Sequence, residues 1–230
     1  RRAPGGSKQR IQYGYAAEPI SLHSHDLEGV VAFEHMDDAA NVPSVDLASR
    51  AVMTALDVVE LECEIEKAEL ATNPANFAAS NKETLSGSSQ WNDPASDPEA
   101  DILEAREAIR RKIGRYPNKL ILGANVFSAL VRHPKIVERH KHVSSETITE
   151  ALLARVFRME KIVVGKAVYL PESADDDAEA LDVWPNVAVL AYVPMSGQTY
   201  NIPSFGYRYR ITGHPLVMMP YEDKNCDSWI

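Results

Sequence analysis

Histidine and carboxylate side chains near the start of the sequence could form a metal site. His23, His25 and Asp26 stand within four residues, and together they could bind a zinc ion. Such a site needs further ligands held by a rigid element, whereas this segment has the pattern of a loop. A small metallohydrolase that uses these three residues is therefore kept as an alternative interpretation.

The other reactive residue types lack the spacing of a known site. Cys63 and Cys226 belong to no Cys-x-x-Cys pair, and Asp175 to Asp177 lack the spaced ligands and bending glycine of a calcium loop. No nucleophile elbow, phosphate-binding loop or dinucleotide fingerprint occurs. The sequence thus predicts no cofactor and favours a structural or interaction protein over an enzyme. Lys and Arg residues surround three further histidines, for which we expect an exposed basic surface: His133, His140 and His142.

Composition narrows the class of protein. The 230 residues are 45% hydrophobic and 25% charged, which is typical of a soluble globular chain, and no apolar run approaches the length of a membrane span. The net charge of −9 argues against a protein that binds nucleic acid with its whole surface. The chain begins at Arg1 without methionine and closes on the apolar pair Trp229-Ile230, so we expect both ends to be incomplete.

The N-terminal segment predicts a ribbon with little core of its own. It begins with basic residues, and Ile11, Tyr13 and Tyr15 then alternate with smaller or polar residues, as in a strand. So few apolar residues cannot form a core. The segment is therefore either a mobile tail or a ribbon that lies on another surface.

A long helix is predicted over residues 45–71, about 40 Å in length. Pro43 and Ser44 supply a stop and an N-cap, while Asn73 and Pro74 end it. Apolar residues at three- and four-residue steps predict one buried stripe: Ala48, Val52, Ala55 and Val59, with Leu56 and Cys63 beside them. The C-terminal half carries a cluster of acids answered by Lys67, and this is either a solvated face or a face that meets a basic partner: Glu60, Glu62, Glu64, Glu66 and Glu69.

A polar crossover at 73–98 leads to a second unit of alternating helices and strands. Asp97 as N-cap, Pro98 at the first position and Gly114 at the end predict a helix. A strand at 120–122, a short helix ended by Pro134, and a helix with a Thr147 to Glu150 capping box follow.

Further strands are predicted over 162–170 and 187–193. The second of these is continuously apolar, which predicts burial on both faces. Residues 205–211 alternate aromatic side chains with Arg208 and Arg210, which predicts an antiparallel strand paired with 216–221. The complete pattern predicts an α+β fold.

The order of these elements resembles a known family. The sequence from Gly114 through Tyr116-Pro117-Asn118 to the short strand before Gly123, followed by a helix and His133-Pro134, is similar to the tailed-phage major capsid proteins with the Hong Kong 97-type fold. Residues 148–169 are similar to that family as well, and the resemblance covers roughly residues 40–215.

The resemblance implies a division of the chain. Residues 1–35 would be an extended loop that reaches across a neighbouring subunit. Residues 36–90 would be the peripheral domain, with 45–71 as its spine helix. The axial domain would comprise residues 91–195, and residues 196–230 would return the chain to the peripheral region.

The resemblance also implies a function without enzymatic activity. The chain would be a major capsid protein that self-assembles into pentamers and hexamers of an icosahedral head, which encloses double-stranded DNA without sequence-specific binding. It would be assembled in the cytoplasm of a bacterial host and become part of the virion. Portal, scaffold and decoration proteins are further partners that the resemblance allows. An encapsulin-like nanocompartment shell is the main alternative.

Interlocking subunits place oppositely charged faces against each other. We therefore expect contacts between subunits at charged residues of the N-terminal ribbon, the long helix and the last predicted strand: Arg1, Arg2, Lys8, Arg10, Glu60, Glu64, Glu66, Arg208 and Arg210.

Overall fold

The computed structural model describes residues 19–42, 44–141, 148–171, 173–175, 177–195, 202–223 and 226–230. Its helices are α1 (Phe33–Ala40), α2 (Leu47–Thr72), α3 (Pro98–Ile113), α4 (Ala124–Arg132), α5 (Pro134–Lys141) and α6 (Glu150–Val156). Its strands are β1 (Val31–Ala32), β2 (Lys119–Gly123), β3 (Lys161–Gly165), β4 (Val168–Tyr169), β5 (Leu181–Asp182), β6 (Ala188–Ala191), β7 (Glu222–Asp223) and β8 (Ser228–Trp229). This mixture confirms the α+β class.

The long helix α2 confirms the element predicted over 45–71, but not its cap or its burial. Asp46, not Ser44, is the N-cap, because its carboxylate accepts the backbone N–H of Ser49 at 3.0 Å. Of the 26 residues in the helix, Ala68 alone is buried, while Ala48 and Val52 of the predicted stripe are exposed. The stripe is incompletely covered because the chain packs a core mainly against the C-terminal half of α2.

The crossover and α3 follow the sequence prediction closely. Residues 73–97 contain short 3-10 turns at Pro74–Asn76, Ala79–Asn81 and Gly87–Ser89. The Asp97 carboxylate then accepts the backbone N–H of Ala100 at 3.1 Å and begins α3. Gly114 ends this helix in the left-handed conformation with φ of 71°.

A three-stranded sheet forms the centre of the second unit. The middle strand β2 pairs in parallel with β3 and antiparallel with β6, so that Leu120 lies opposite Ile162 and Leu190. Helices α4, α5 and α6 connect β2 to β3. The prediction that 187–193 is buried on both faces was wrong: β6 is an edge strand, and of its residues only Ala191 is buried.

Two predicted elements are shorter than expected. The strand over 162–170 divides into β3 and β4, and β4 pairs with β5. Helix α6 begins at Glu150 behind Thr149, and Thr147 of the predicted capping box lies outside the described residues. The core side of this helix is formed by Leu153 and Ala154, and the partly buried Ile148 and Val156 pack against the same core.

Two cores hold the described residues together. The larger lies between the central sheet and helices α3 to α6, and its buried residues are Ile102, Leu120, Leu122, Leu130, Ile136, Leu153, Ala154, Phe157, Met159 and Ile162. The smaller consists of Ala68, Val183 and Trp184, and it fixes the C-terminal half of α2 to the sheet.

A second small sheet joins the two ends of the described chain. The strand β8 lies between β1 and β7, and both pairings are antiparallel. The rings of Phe33 and Trp229 meet edge to face with centroids 5.8 Å apart.

The predicted strand pair over 205–211 and 216–221 was wrong. Residues 202–221 contain no strand, and from Phe205 to Tyr221 every residue is exposed. An alternating pattern describes a half-buried strand, but a strand forms only when another edge pairs with its backbone groups.

None of the helices in the described ranges combines the length and the apolar character that crossing a membrane requires.

Candidate functional site

The segment 19–30, which we call the strap, lies along α2. The Nδ1 of His25 is 3.2 Å from Oε2 of Glu62, and its Nε2 is 3.8 Å from Oε1 of Glu66. Gly29 packs so closely on the helix that an added Cβ would lie 3.0 Å from the Ala51 carbonyl oxygen. The strap therefore runs antiparallel to α2 and covers one of its faces.

This arrangement separates the residues of the predicted zinc site. The ring of His25 faces carboxylates of α2, while His23 is exposed and Asp26 accepts hydrogen bonds from the Ser24 hydroxyl at 3.2 and 3.1 Å. Across the described parts of the chain, no group of three or more His, Cys, Asp or Glu side chains is placed to hold a metal ion. The three predicted ligands are thus not brought into one coordination sphere.

The prediction of an exposed basic surface was wrong for His133, which is buried. Its Nε2 is 3.1 Å from the Ser96 hydroxyl and 3.2 Å from the Asp93 carbonyl oxygen. Because the Ser96 hydroxyl itself donates to Asp93 at 2.9 Å, the ring nitrogen must be the donor in this group. His133 therefore secures the crossover against α5. The side chain of His140 and all of His142 lie outside the described residues.

The two cysteines are not poised for thiol chemistry. The negative charge of Asp223, followed by a hydrogen bond to it, raises the pKa of the Cys226 thiol above its usual value. A raised pKa lowers the fraction of reactive thiolate. Cys63 lies on α2, where its sulfur accepts a hydrogen bond from the Arg208 guanidinium at 3.7 Å.

The acidic cluster of α2 is largely engaged within the chain. Glu62 and Glu66 contact His25 of the strap, and Oε1 of Glu64 accepts the indole N–H of Trp184 at 2.8 Å. Glu60 makes no hydrogen bond or ion pair with any described residue. The basic residues predicted to oppose the cluster, Arg1, Arg2, Lys8 and Arg10, lie outside the described ranges.

One face of α2 is covered at one end and open at the other. Met53, Asp57, Glu60 and Glu64 share this face, because they are spaced at three- and four-residue steps. Glu64 meets Trp184 at the covered end. Met53, by contrast, is 63% exposed, and the residues Met53, Asp57 and Glu60 are called the open face from here on.

Residues 202–221, which we call the open arm, are held mainly at their two ends. Phe205 stacks on Phe77 with ring centroids 6.2 Å apart, and Tyr221 exchanges two backbone hydrogen bonds of 3.0 Å with Ile230. Between these anchors, Met218 and Met219 are 80% and 88% exposed. The arm thus presents a strip of apolar side chains to solvent.

An open groove of about 1080 Å³ lies between the crossover, α3 and β6. The indole N–H of Trp91 donates to Asp101 at 2.8 Å, and the Lys112 ammonium donates to the Ser80 hydroxyl at 2.8 Å. These polar groups therefore hold the crossover on α3.

The exposed apolar surfaces of α2 and of the open arm indicate the class of protein. Apolar surface that a chain leaves exposed on an ordered helix and an extended arm is typical of a surface that contacts other proteins. The described residues therefore define a protein with extended surfaces that are suited to contacts with other proteins.

Comparison with known proteins gives the family. The sequence profile of the phage major capsid protein E family matches residues 76–229, and the chain belongs to this family. It is 38% identical over 208 residues to the major capsid protein of Burkholderia phage BcepMu, covering 89% of this chain and 65% of that protein. It is 28% identical over 198 residues to the major capsid protein of Pseudomonas phage JBD67, covering 85% of this chain and 62% of that protein. The chain thus spans less than two thirds of both relatives.

A solved structure shares the fold. The crystal structure of a phage-related protein from Bordetella bronchiseptica RB50 matches with a TM-score of 0.82 and 42% sequence identity, over 96% of this chain and 72% of that one. These matches confirm the predicted resemblance to phage major capsid proteins, which form a structural family.

Proposed function

We propose that this chain forms the shell of an icosahedral phage head as pentamers and hexamers with the Hong Kong 97-type fold. The single observation that carries the proposal is α2, whose 26 residues include one buried side chain. Helices in proteins are stabilised mainly by packing of an apolar face, so α2 requires contacts beyond those of its own chain. Membership of a capsid protein family supports other copies of the chain as the source.

The fold supports the proposed division of this subunit into domains. The unit built on the central sheet, within 91–195, would be the axial domain, and α2 would be the spine of a peripheral domain over 36–90. The extended loop over 1–35 would include the strap, and 196–230 would return to the peripheral region, where β8 pairs with both β1 and β7. The strap and the open arm would then contact neighbouring subunits.

Charge fits the proposed contents of the shell. The net charge of the chain is −9, so its surface as a whole repels the phosphates of packed double-stranded DNA. Weak adhesion suits a shell that must later release this DNA. DNA would be enclosed without sequence-specific binding, the role would be non-enzymatic, and the particle would assemble in the bacterial cytoplasm before becoming the virion. Portal, scaffold and decoration proteins would be additional partners.

Electron microscopy of the purified protein tests this function. We expect closed shells tens of nanometres wide, built from rings of five and six copies. Particles recovered from infected cells should contain DNA protected from nuclease. Shells filled with a protein cargo would instead indicate a nanocompartment. A monodisperse small species with bound zinc would contradict the proposal and favour the metallohydrolase.

A further inference from the structure

We propose that the open arm of one copy docks on the open face of α2 in a second copy, where Arg210 pairs with the carboxylates of Asp57 and Glu60. This inference rests on the proposed function and names the surfaces that meet.

The open arm is basic and apolar. Its 20 residues include Arg208 and Arg210 and no carboxylate, so their formal charge is +2, from two basic and no acidic side chains. Arg208 already donates to Cys63 of its own α2. Arg210 is exposed and contacts no charged group among the described residues. Its guanidinium is therefore available to another chain.

The apolar part of the arm follows Arg210 closely. Leu216, Val217, Met218 and Met219 are exposed by 55% to 88%. Four consecutive exposed apolar side chains are unfavourable in water and are suited to a protein contact. Methionine adapts to irregular surfaces, which suits repeated contacts in slightly different environments.

The open face has complementary charge and shape. The helix carries six acidic side chains against Arg50 and Lys67, so its formal charge is −4. Asp57 and Glu60 are one turn apart, exposed and unpaired within the described chain, and Met53 lies one turn before them. A basic, apolar partner fits this surface.

A second copy, rather than the same chain, is the occupant that the structure favours. The arm is tied at Phe205 and at Tyr221, and between these ties Arg208 reaches α2 at Cys63. Cys63 and Glu60 are three residues apart on the helix, yet Arg210 does not reach Glu60 in its own chain. In an assembly of identical chains each copy supplies both an arm and a face, so one contact repeats around the shell.

Charge reversal in the full-length protein tests the pairing. Arg210→Glu and Glu60→Arg should each raise the protein concentration needed for assembly at least about tenfold, because each places like charges opposite one another. The double variant, which restores an opposite pair, should assemble within about threefold of the wild type. Arg155→Glu reverses an exposed arginine on α6 and should leave assembly unchanged. Circular dichroism of all variants checks that they remain folded.

A crosslinking measurement covers the case in which a reversed variant does not fold. Chains with Cys63→Ser and Cys226→Ser would carry Glu60→Cys or Arg210→Cys, and a mixture of the two should form disulfide-linked dimers under mild oxidation. Single variants that assemble as the wild type, or a mixture that gives no dimer while shells form, would overturn the proposed docking and leave the shell function intact. A wild-type protein that forms no shell would contradict the shell function itself.

Discussion

The indole nitrogen of Trp184 donates a hydrogen bond of 2.8 Å to the carboxylate of Glu64, 120 residues earlier in the chain. Trp184 is buried in the small core with Ala68, so the bond fixes the C-terminal half of α2 to the unit that holds the central sheet. The carboxylate of Glu64, one of the acidic cluster, thus stabilises the fold of its own chain. A reversal of Glu64 would disturb the fold as well as any contact with a neighbour.

Removing the acceptor of this bond should destabilise the chain. We expect Glu64→Ala to lower the free energy of unfolding by about 1–3 kcal/mol, because it leaves a buried indole N–H without a partner. Glu64→Gln keeps an acceptor oxygen and serves as the control, for which we expect a smaller loss of unfolding free energy. Urea unfolding followed by tryptophan fluorescence measures both. Equal losses in the two variants would show that the hydrogen bond is not the cause.

Gly165 makes room for the same tryptophan. A Cβ added at this position would lie 2.2 Å from Cδ1 of Trp184, so the ring would have to move. We expect Gly165→Ala to cost about 1–3 kcal/mol of unfolding free energy and to shift the fluorescence maximum. Gly206→Ala is the matched control, since a Cβ there meets open space. A Gly165→Ala variant as stable as this control would rule out the steric argument.

Local signals in the sequence were sufficient to predict both ends of α3. Helix α3 begins at Asp97 and Pro98 and ends at Gly114, as predicted. Such ends can be recognised in the sequence because a capping residue lies within a few residues of the backbone groups that it satisfies. Distant partners were not predictable in this way. Nothing near Glu64 or His133 indicates that Trp184 or Ser96 completes its environment, since those contacts depend on how separate elements pack.

The conformation of the open arm could not be predicted from its own residues. The alternation over 205–211 is typical of a half-buried strand, so the prediction assumed that the chain itself supplies the covering surface. In the structure every one of these residues is exposed. In a subunit of an assembly, that covering surface can belong to another copy. The same argument applies to the predicted stripe of α2, in which Ala55 and Val59 are half-buried while Ala48 and Val52 are exposed.

The buried Ser96 and His133 should contribute to stability through their mutual bond. We expect Ser96→Ala to lower the free energy of unfolding by about 1 kcal/mol, because the Nε2–H of His133 then keeps a single acceptor. His133→Ala should cost about 2–4 kcal/mol, since it also leaves a cavity. Chemical denaturation gives both values, with the exposed Arg155→Ala as the control. Losses below about 0.5 kcal/mol, as for a surface residue, would contradict this role.

Asp97 should give the chain a pH-dependent increment of stability. The backbone N–H of Ala100, followed by the side chain of Lys135, holds the pKa of its carboxyl below the ordinary value of 3.8. A carboxyl whose pKa is lowered by folding stabilises the folded state above its unfolded pKa, and this contribution is lost as the pH falls through the folded pKa.

The variants Asp97→Ala and Asp97→Asn separate charge from capping. Near neutral pH, Asp97→Ala should cost about 1 kcal/mol, because α3 loses its N-cap. Asn accepts the same N–H without titrating, so Asp97→Asn should cost less. As the pH falls below about 4, the wild type should lose its advantage over both variants. Unfolding free energies measured from neutral to acidic pH test this. A constant difference between wild type and Asp97→Ala throughout the series would show that the carboxylate charge does not stabilise α3.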